Sequence, residues 1–134
     1  MIKFTETALR EKAHHEIRYK TGEKLRGTVS KAYIATEYAK YRKELFNEVK
    51  NKNILEIGCG IGIDRALKYS KRNCKYTGVD VSEKCINFNK KEAEENNLQV
   101  DFVLDDANLL TTLEGQKFDH IIMSGVLHHL ELNL

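Results

Sequence analysis

The sequence predicts an α/β domain: a parallel sheet with helices on both faces, ending after a fourth strand and preceded by a helical segment. Three observations carry this. From residue 54 onward, short apolar runs alternate with stretches of helical pattern. The first run opens into a glycine cluster, Gly58, Gly60 and Gly62. Asp80 closes the next run, twenty residues after Gly60.

Residues 5–20 read as a first helix with a broken apolar face of Ala8, Ala13 and Ile17. Thr5 or Thr7 can cap it, because a hydroxyl accepts an otherwise unpaired amide hydrogen. Gly22 and Gly27 flank a turn. Residues 31–50 form a stronger helix: Ile34, Tyr38, Tyr41, Leu45 and Val49 recur at spacings of three and four. Residues 1–52 are thus a helical segment, and 53–134 a second unit. In that unit strand one is 54–57, and a helix over about 61–71 follows the glycines. Strand two is 76–79. Ser82 caps a helix over about 83–96, with Cys85, Ile86 and Ala93 facing inward. Strand three is 99–103 and strand four 118–123. The strands are apolar runs, as expected where both sheet faces are covered, and right-handed crossovers join them.

Composition narrows the partners. The 134 residues carry a net charge of only +2, too little to call for nucleic acid or a membrane surface. The charge is uneven. Residues 1–53 hold 13 Lys and Arg against 7 Asp and Glu; residues 54–134 hold 9 against 13. Two solvated surfaces account for this, and a basic arm touching an anionic substrate is the sharper alternative. Cys59, Cys74 and Cys85 have neither metal-site spacing nor even pairing, which suits a reducing compartment. Lys3, Glu6 and Arg10 break any signal-peptide pattern, and no apolar run reaches spanning length. The cytoplasm is the expected location.

The glycines have mechanical work. A tight strand-to-helix turn needs backbone angles that a side chain disfavours, and a ligand can approach bare backbone closely. A carboxylate at Asp80 can accept both hydroxyls of an adenosine ribose. Asp106, just past strand three, can accept the exocyclic amine of an adenine; Asp105 competes for that part. Two ligands fit, a nicotinamide dinucleotide or S-adenosylmethionine. The dinucleotide pattern wants G-x-G-x-x-G, and here Ile63 stands at the third glycine's place. Glu56, two residues before Gly58, disfavours a pyrophosphate and suits the sulfonium and ammonium of S-adenosylmethionine. It can equally bind loop amides and shape the turn.

These stretches together resemble class I S-adenosylmethionine-dependent methyltransferases, which are Rossmann-like. The resemblance runs from about residue 31 to the end. Residues 54–62, ILEIGCGIG, are similar to the family's first motif, with Ile61 where Thr is usual. Residues 78–82, GVDVS, resemble the second, and Asp106-Ala107 the pair beside the adenine. Residues 118–122, FDHII, resemble the fourth-strand motif, and residues 125–130, GVLHHL, the ubiquinone/menaquinone-biosynthesis-like branch. The resemblance implies S-adenosylmethionine as cofactor, held by Glu56, Gly58, Cys59, Gly60, Gly62, Asp80, Val81, Asp106, Ala107 and Ser124. His128 and His129 are the candidate proton acceptors; packing or capping of a following helix is their plainer use. His14 and His15 are expected in solvent, and Tyr19, Tyr33, Tyr38 and Tyr41 in helix packing.

The acceptor is expected to be a small molecule, since that branch is mostly metabolic. The tetrad N/D-P-P-Y/F of amino-methylating enzymes needs proline, and the chain has none. A nucleic-acid methyltransferase is therefore a lesser alternative, left open by the basic residues of 1–53. The family would next supply a helix and strands five to seven. The chain thus resembles the cofactor half of the domain, with strand four as an apolar edge. A homo-oligomer or a partner polypeptide is expected there. A cofactor-binding or scaffolding subunit without methyl transfer is the non-enzyme alternative.

Overall fold

The computed structural model describes residues 1–21 and 29–131. The turn expected at Gly22 and Gly27 lies outside these residues, as do the side chains of His15, Ile17, Tyr19, Tyr33, Ile34 and Tyr38. The elements run α1 (Glu6–Thr21), α2 (Val29–Glu48), β1 (Asn53–Ile57), α3 (Ile63–Ser70), β2 (Lys75–Asp80), α4 (Glu83–Glu95), β3 (Asp101–Leu104) and β4 (His120–Met123). Short 3₁₀ turns lie at Thr111–Leu113 and Leu127–His129.

The four strands form one parallel sheet in the order β3-β2-β1-β4. The chain steps outward from β1 to β3, then returns to β1's other side. Strand order thus reverses beside β1, where sheets of this kind open a crevice at their carboxyl ends. Alternation along the strands makes two cores. Ile54, Tyr76, Phe102 and Ile122 pack under Ala66 and Tyr69 of α3, Ile86 and Ala93 of α4, and Val49 after α2. Leu55, Ile57 and Val79 face the other way, onto Leu113 with Leu110 and Phe118. The end of α2 is tied down by Arg72, which donates from Nε to the Val49 carbonyl at 2.7 Å and from Nη2 to that of Asn47 at 2.7 Å.

Element ends depart from the sequence expectation for local reasons. Gly62 is the cap position of α3, so the helix begins at Ile63, and Ile61 is left exposed. Asn97 turns left-handed at φ +53° to end α4. The chain then packs Leu98 and Val100 onto the core before β3 begins at Asp101. Before β4, the Asp119 carboxylate accepts the Asn53 amide at 2.7 Å, and this bond sets where pairing with β1 starts. Thr5, of the two candidates, caps α1: its Oγ1 accepts the Ala8 amide at 3.2 Å. Tyr41 is exposed rather than packed. Among the described residues, no helix is long and apolar enough to cross a membrane.

Candidate cofactor site

A cavity opens across the carboxyl ends of the strands, in the crevice that the strand order creates. Its floor is the turn after β1. The amides of Gly58 and Cys59 both donate to the Val79 carbonyl, at 2.8 and 2.9 Å. The chain then swings away through Gly58 at φ +70° and Gly60 at φ +50°. A Cβ on Gly58 would also lie 2.1 Å from Cγ2 of Val126. Both requirements are met only by glycine.

Asp80 ends β2 beside this turn. Its Oδ2 accepts the Gly60 amide at 2.8 Å and its Oδ1 the Ser82 amide at 2.8 Å. A carboxylate oxygen has two lone pairs, so each retains capacity for a further donor. Ser82 caps α4 as expected, its Oγ accepting the Cys85 amide at 3.4 Å.

Past β3, Asp105 and Asp106 are both buried and both reach the cavity. Asp105 is used in shaping its own turn, accepting the amides of Asp106 and Thr112 at 2.7 Å each and the Thr112 hydroxyl. Asp106 accepts the Asn108 amide and side-chain nitrogen at 2.8 Å each, and the Thr5 amide at 2.6 Å. Burial raises the Asp106 pKa, but the hydrogen bonds from Thr5 and Asn108 outweigh it and hold the group below its ordinary value.

Of the residues expected at the site, Gly58, Gly60, Asp80, Val81, Asp106, Ala107, Ser124 and His129 line the cavity. Glu56, Cys59, Gly62 and His128 lie off it. Glu56 shares its strand face with Ile54, so its carboxylate points beneath α3 rather than toward a ligand. There it accepts Tyr76 Oη at 2.6 Å and pairs with Arg65 Nε at 2.8 Å and Arg42 Nη2 at 3.6 Å. A buried carboxylate is tolerable only when so partnered. Arg65 also donates to the Cys59 carbonyl. Glu56 thus meets neither expectation directly: among the described residues its carboxylate's partners are side chains rather than loop amides, and it reaches the loop only through Arg65. Burial, followed by the charge of Glu56, raises the pKa of the Tyr76 hydroxyl; burial, followed by the charges of Asp80 and Glu56, raises that of the Cys59 thiol, which packs beneath the loop. Gly62 lies on the α3 side, where a Cβ would meet Tyr76 Oη at 3.0 Å.

His129 Nδ1 donates to Glu11 Oε1 at 2.9 Å, and both residues line the cavity. His128 is exposed and lies against the His129 ring, centroids 3.7 Å apart. Sequence reasoning did not find Glu11, Asn108 or Asn89. Glu11 meets the site from far along the chain and leaves no local signal. Asn108 stands two residues past Asp106, where an Asn that bonds back to the preceding Asp is a turn signal. Asn89 also left one, as a polar residue in the stripe Ile86, Asn89, Ala93 at helical spacing.

A doubly wound sheet with a glycine turn, two carboxylates and a crevice at its switch point defines a domain for an adenosine-bearing ligand. Comparison with known proteins identifies which. Residues 54–133 match the family described as a methyltransferase domain, and the chain belongs to that family. It is a class I domain, and its cofactor is S-adenosylmethionine. A relative from Coxiella burnetii, ubiquinone biosynthesis O-methyltransferase, is 37% identical over 82 residues, 60% of this chain and 34% of that protein. The chain spans about a third of the length of the curated relatives it matches. Coclaurine N-methyltransferase with N-methylheliamine and SAH is similar in structure, at TM-score 0.52 and 26% identity over 75% of this chain and 29% of that one. A structure from the conversion of a disulfide bond into a thioacetal group during echinomycin biosynthesis aligns at TM-score 0.54 and 32% identity, covering 76% and 40%.

Proposed function

We propose that this chain forms the cofactor side of a methyltransferase acting on a small-molecule acceptor, with residues 53–134 as the cofactor unit and 1–52 as a helical segment beside it. The observation that carries the cofactor placement is the order of groups along the cavity. Asp106 stands past β3, Asp80 at the end of β2, and the bare backbone of Gly58 and Gly60 past β1. In that order they suit an adenine amine, a ribose diol and an amino-acid chain. The spare lone pairs of Asp80 and the side-chain-free backbone of Gly60 in the cavity wall both fit the group.

The cofactor supplies an electrophilic methyl with a good leaving group already attached. The protein's share is therefore placement of the acceptor. His129 is the group suited to take an acceptor proton. With Nδ1 donating to Glu11, the neutral ring presents Nε2 as an acceptor, and the carboxylate steadies the ring if it becomes charged. The names of the relatives support a small acceptor, as does the bound N-methylheliamine of the solved neighbour.

Calorimetric titration with S-adenosylmethionine, S-adenosylhomocysteine and NAD tests the site. The sulfur compounds are expected to bind more tightly; stronger binding of NAD would sink the assignment. With an acceptor in hand, His129→Ala should lower the rate of S-adenosylhomocysteine release while cofactor affinity holds. Equal loss of both would reduce His129 to a wall of the site.

A further inference from the structure

We propose that Asn89 is the positioning residue of the glycine loop, and that it sets how tightly the site holds the amino-acid end of the cofactor. The inference rests on the cofactor placement proposed above. Asn89 stands on α4, fully buried, within an otherwise apolar stripe. Its Nδ2 donates to the Gly60 carbonyl at 2.7 Å, and its Oδ1 accepts the Gly62 amide at 3.1 Å. Asp80 takes the Gly60 amide at 2.8 Å. Gly60 is therefore fixed at both its donor and its acceptor by side chains from outside the loop. Glycine at φ +50° is free to adopt many other conformations, so it cannot hold this shape alone.

A primary amide suits the task because it offers a donor and an acceptor side by side. Burying one in an apolar stripe is costly unless it is hydrogen-bonded, and here both bonds go to the loop backbone. Asn89 does not line the cavity, whereas Gly60 does. It thus acts through the loop rather than on the ligand. The adenosine end is served separately, by Asp80 and Asp106.

The test is calorimetry of the full chain with S-adenosylhomocysteine and, separately, adenosine. Asn89→Asp keeps the shape and the acceptor for Gly62 but sets a carboxylate oxygen against the Gly60 carbonyl. It should weaken S-adenosylhomocysteine by about tenfold or more, roughly one buried hydrogen bond, while adenosine changes less than about twofold. Unchanged S-adenosylhomocysteine affinity, or equal loss for both ligands, would overturn the proposal in favour of plain packing. Asn89→Ala should show the same split. Hydrogen exchange of the Gly62 amide in the ligand-free wild type keeps the idea testable if both variants unfold. That amide should be protected to the level of the α3 core, and fast exchange would overturn the clamp. A wild-type chain that binds no S-adenosylhomocysteine defeats the cofactor placement instead, and the Gly62 amide still decides the clamp.

Discussion

Asp80 carries two loads at once. It fixes the Gly60 and Ser82 amides, and in the proposed complex it also accepts the ribose hydroxyls. Asp80→Ala should weaken S-adenosylhomocysteine by roughly 1–3 kcal/mol, measured by titration, since a buried donor pair would lose its acceptor. An unaltered affinity removes Asp80 from the ribose. Asp106 has a different signature. Hydrogen bonds hold its pKa below the ordinary 3.8, so the unfolded chain takes up the proton first. Its stabilising contribution is complete well above 3.8 and disappears as pH falls through the lower folded value. Asp106→Asn should therefore be less stable than wild type at neutral pH, with the gap closing in acid below about 3.8. Urea unfolding at both pH values measures it; a gap that persists in acid refutes the role of the charge. Asp80 was legible in the sequence because it closes a strand at a fixed distance from a glycine turn. The bond from Thr5 to Asp106 joins residues 101 positions apart, and no local pattern announces it.

Elements were legible where a period or a cap wrote them. The strands and α4 follow apolar runs and a serine cap, and only their ends moved. Ser82→Ala should cost α4 about 1 kcal/mol by loss of the Cys85 amide's acceptor. The turn after β1 is less forgiving. Gly58→Ala meets both a left-handed backbone and Val126, so thermal unfolding should fall by more than the serine variant's shift. A variant as stable as wild type would mean the turn relaxes freely. The helix α2 misled more. Its stripe predicts Tyr41 inward, yet that side chain is 60% exposed. Among its described side chains, the ones packed on the core are Leu45 and Phe46, with Val49 just beyond. Phe46 stands outside the predicted stripe; it meets Tyr69 at 5.5 Å and lies under Arg72. Periodicity gives a helix its face but not the length over which a sheet meets it.

At the scale of the molecule, β4 is an edge of the sheet among the described residues, and the apolar pattern there continues past the covered core. Ile122 is buried toward α3, but Ile121 and Met123 on the opposite face are 60% and 41% exposed, and Leu127 beyond them is 60% exposed. An unpaired apolar edge presents free backbone donors and acceptors as well as oily surface, and both favour pairing with another chain. The alternation that buries Ile122 was readable from residues 118–123. The place of β4 beyond β1 was not written in those residues and came from the family resemblance, and the observed order agrees with it. We expect association through this edge. Light scattering coupled to size-exclusion chromatography should give a mass above one chain of 15.5 kDa. Ile121→Lys places a charge on the open face without touching the cavity. It should return the mass toward one chain and leave S-adenosylhomocysteine affinity as it was. A compact wild-type monomer at micromolar concentration would remove the association, leaving the glycine turn, Asp80 and Asp106 to hold cofactor within a single chain.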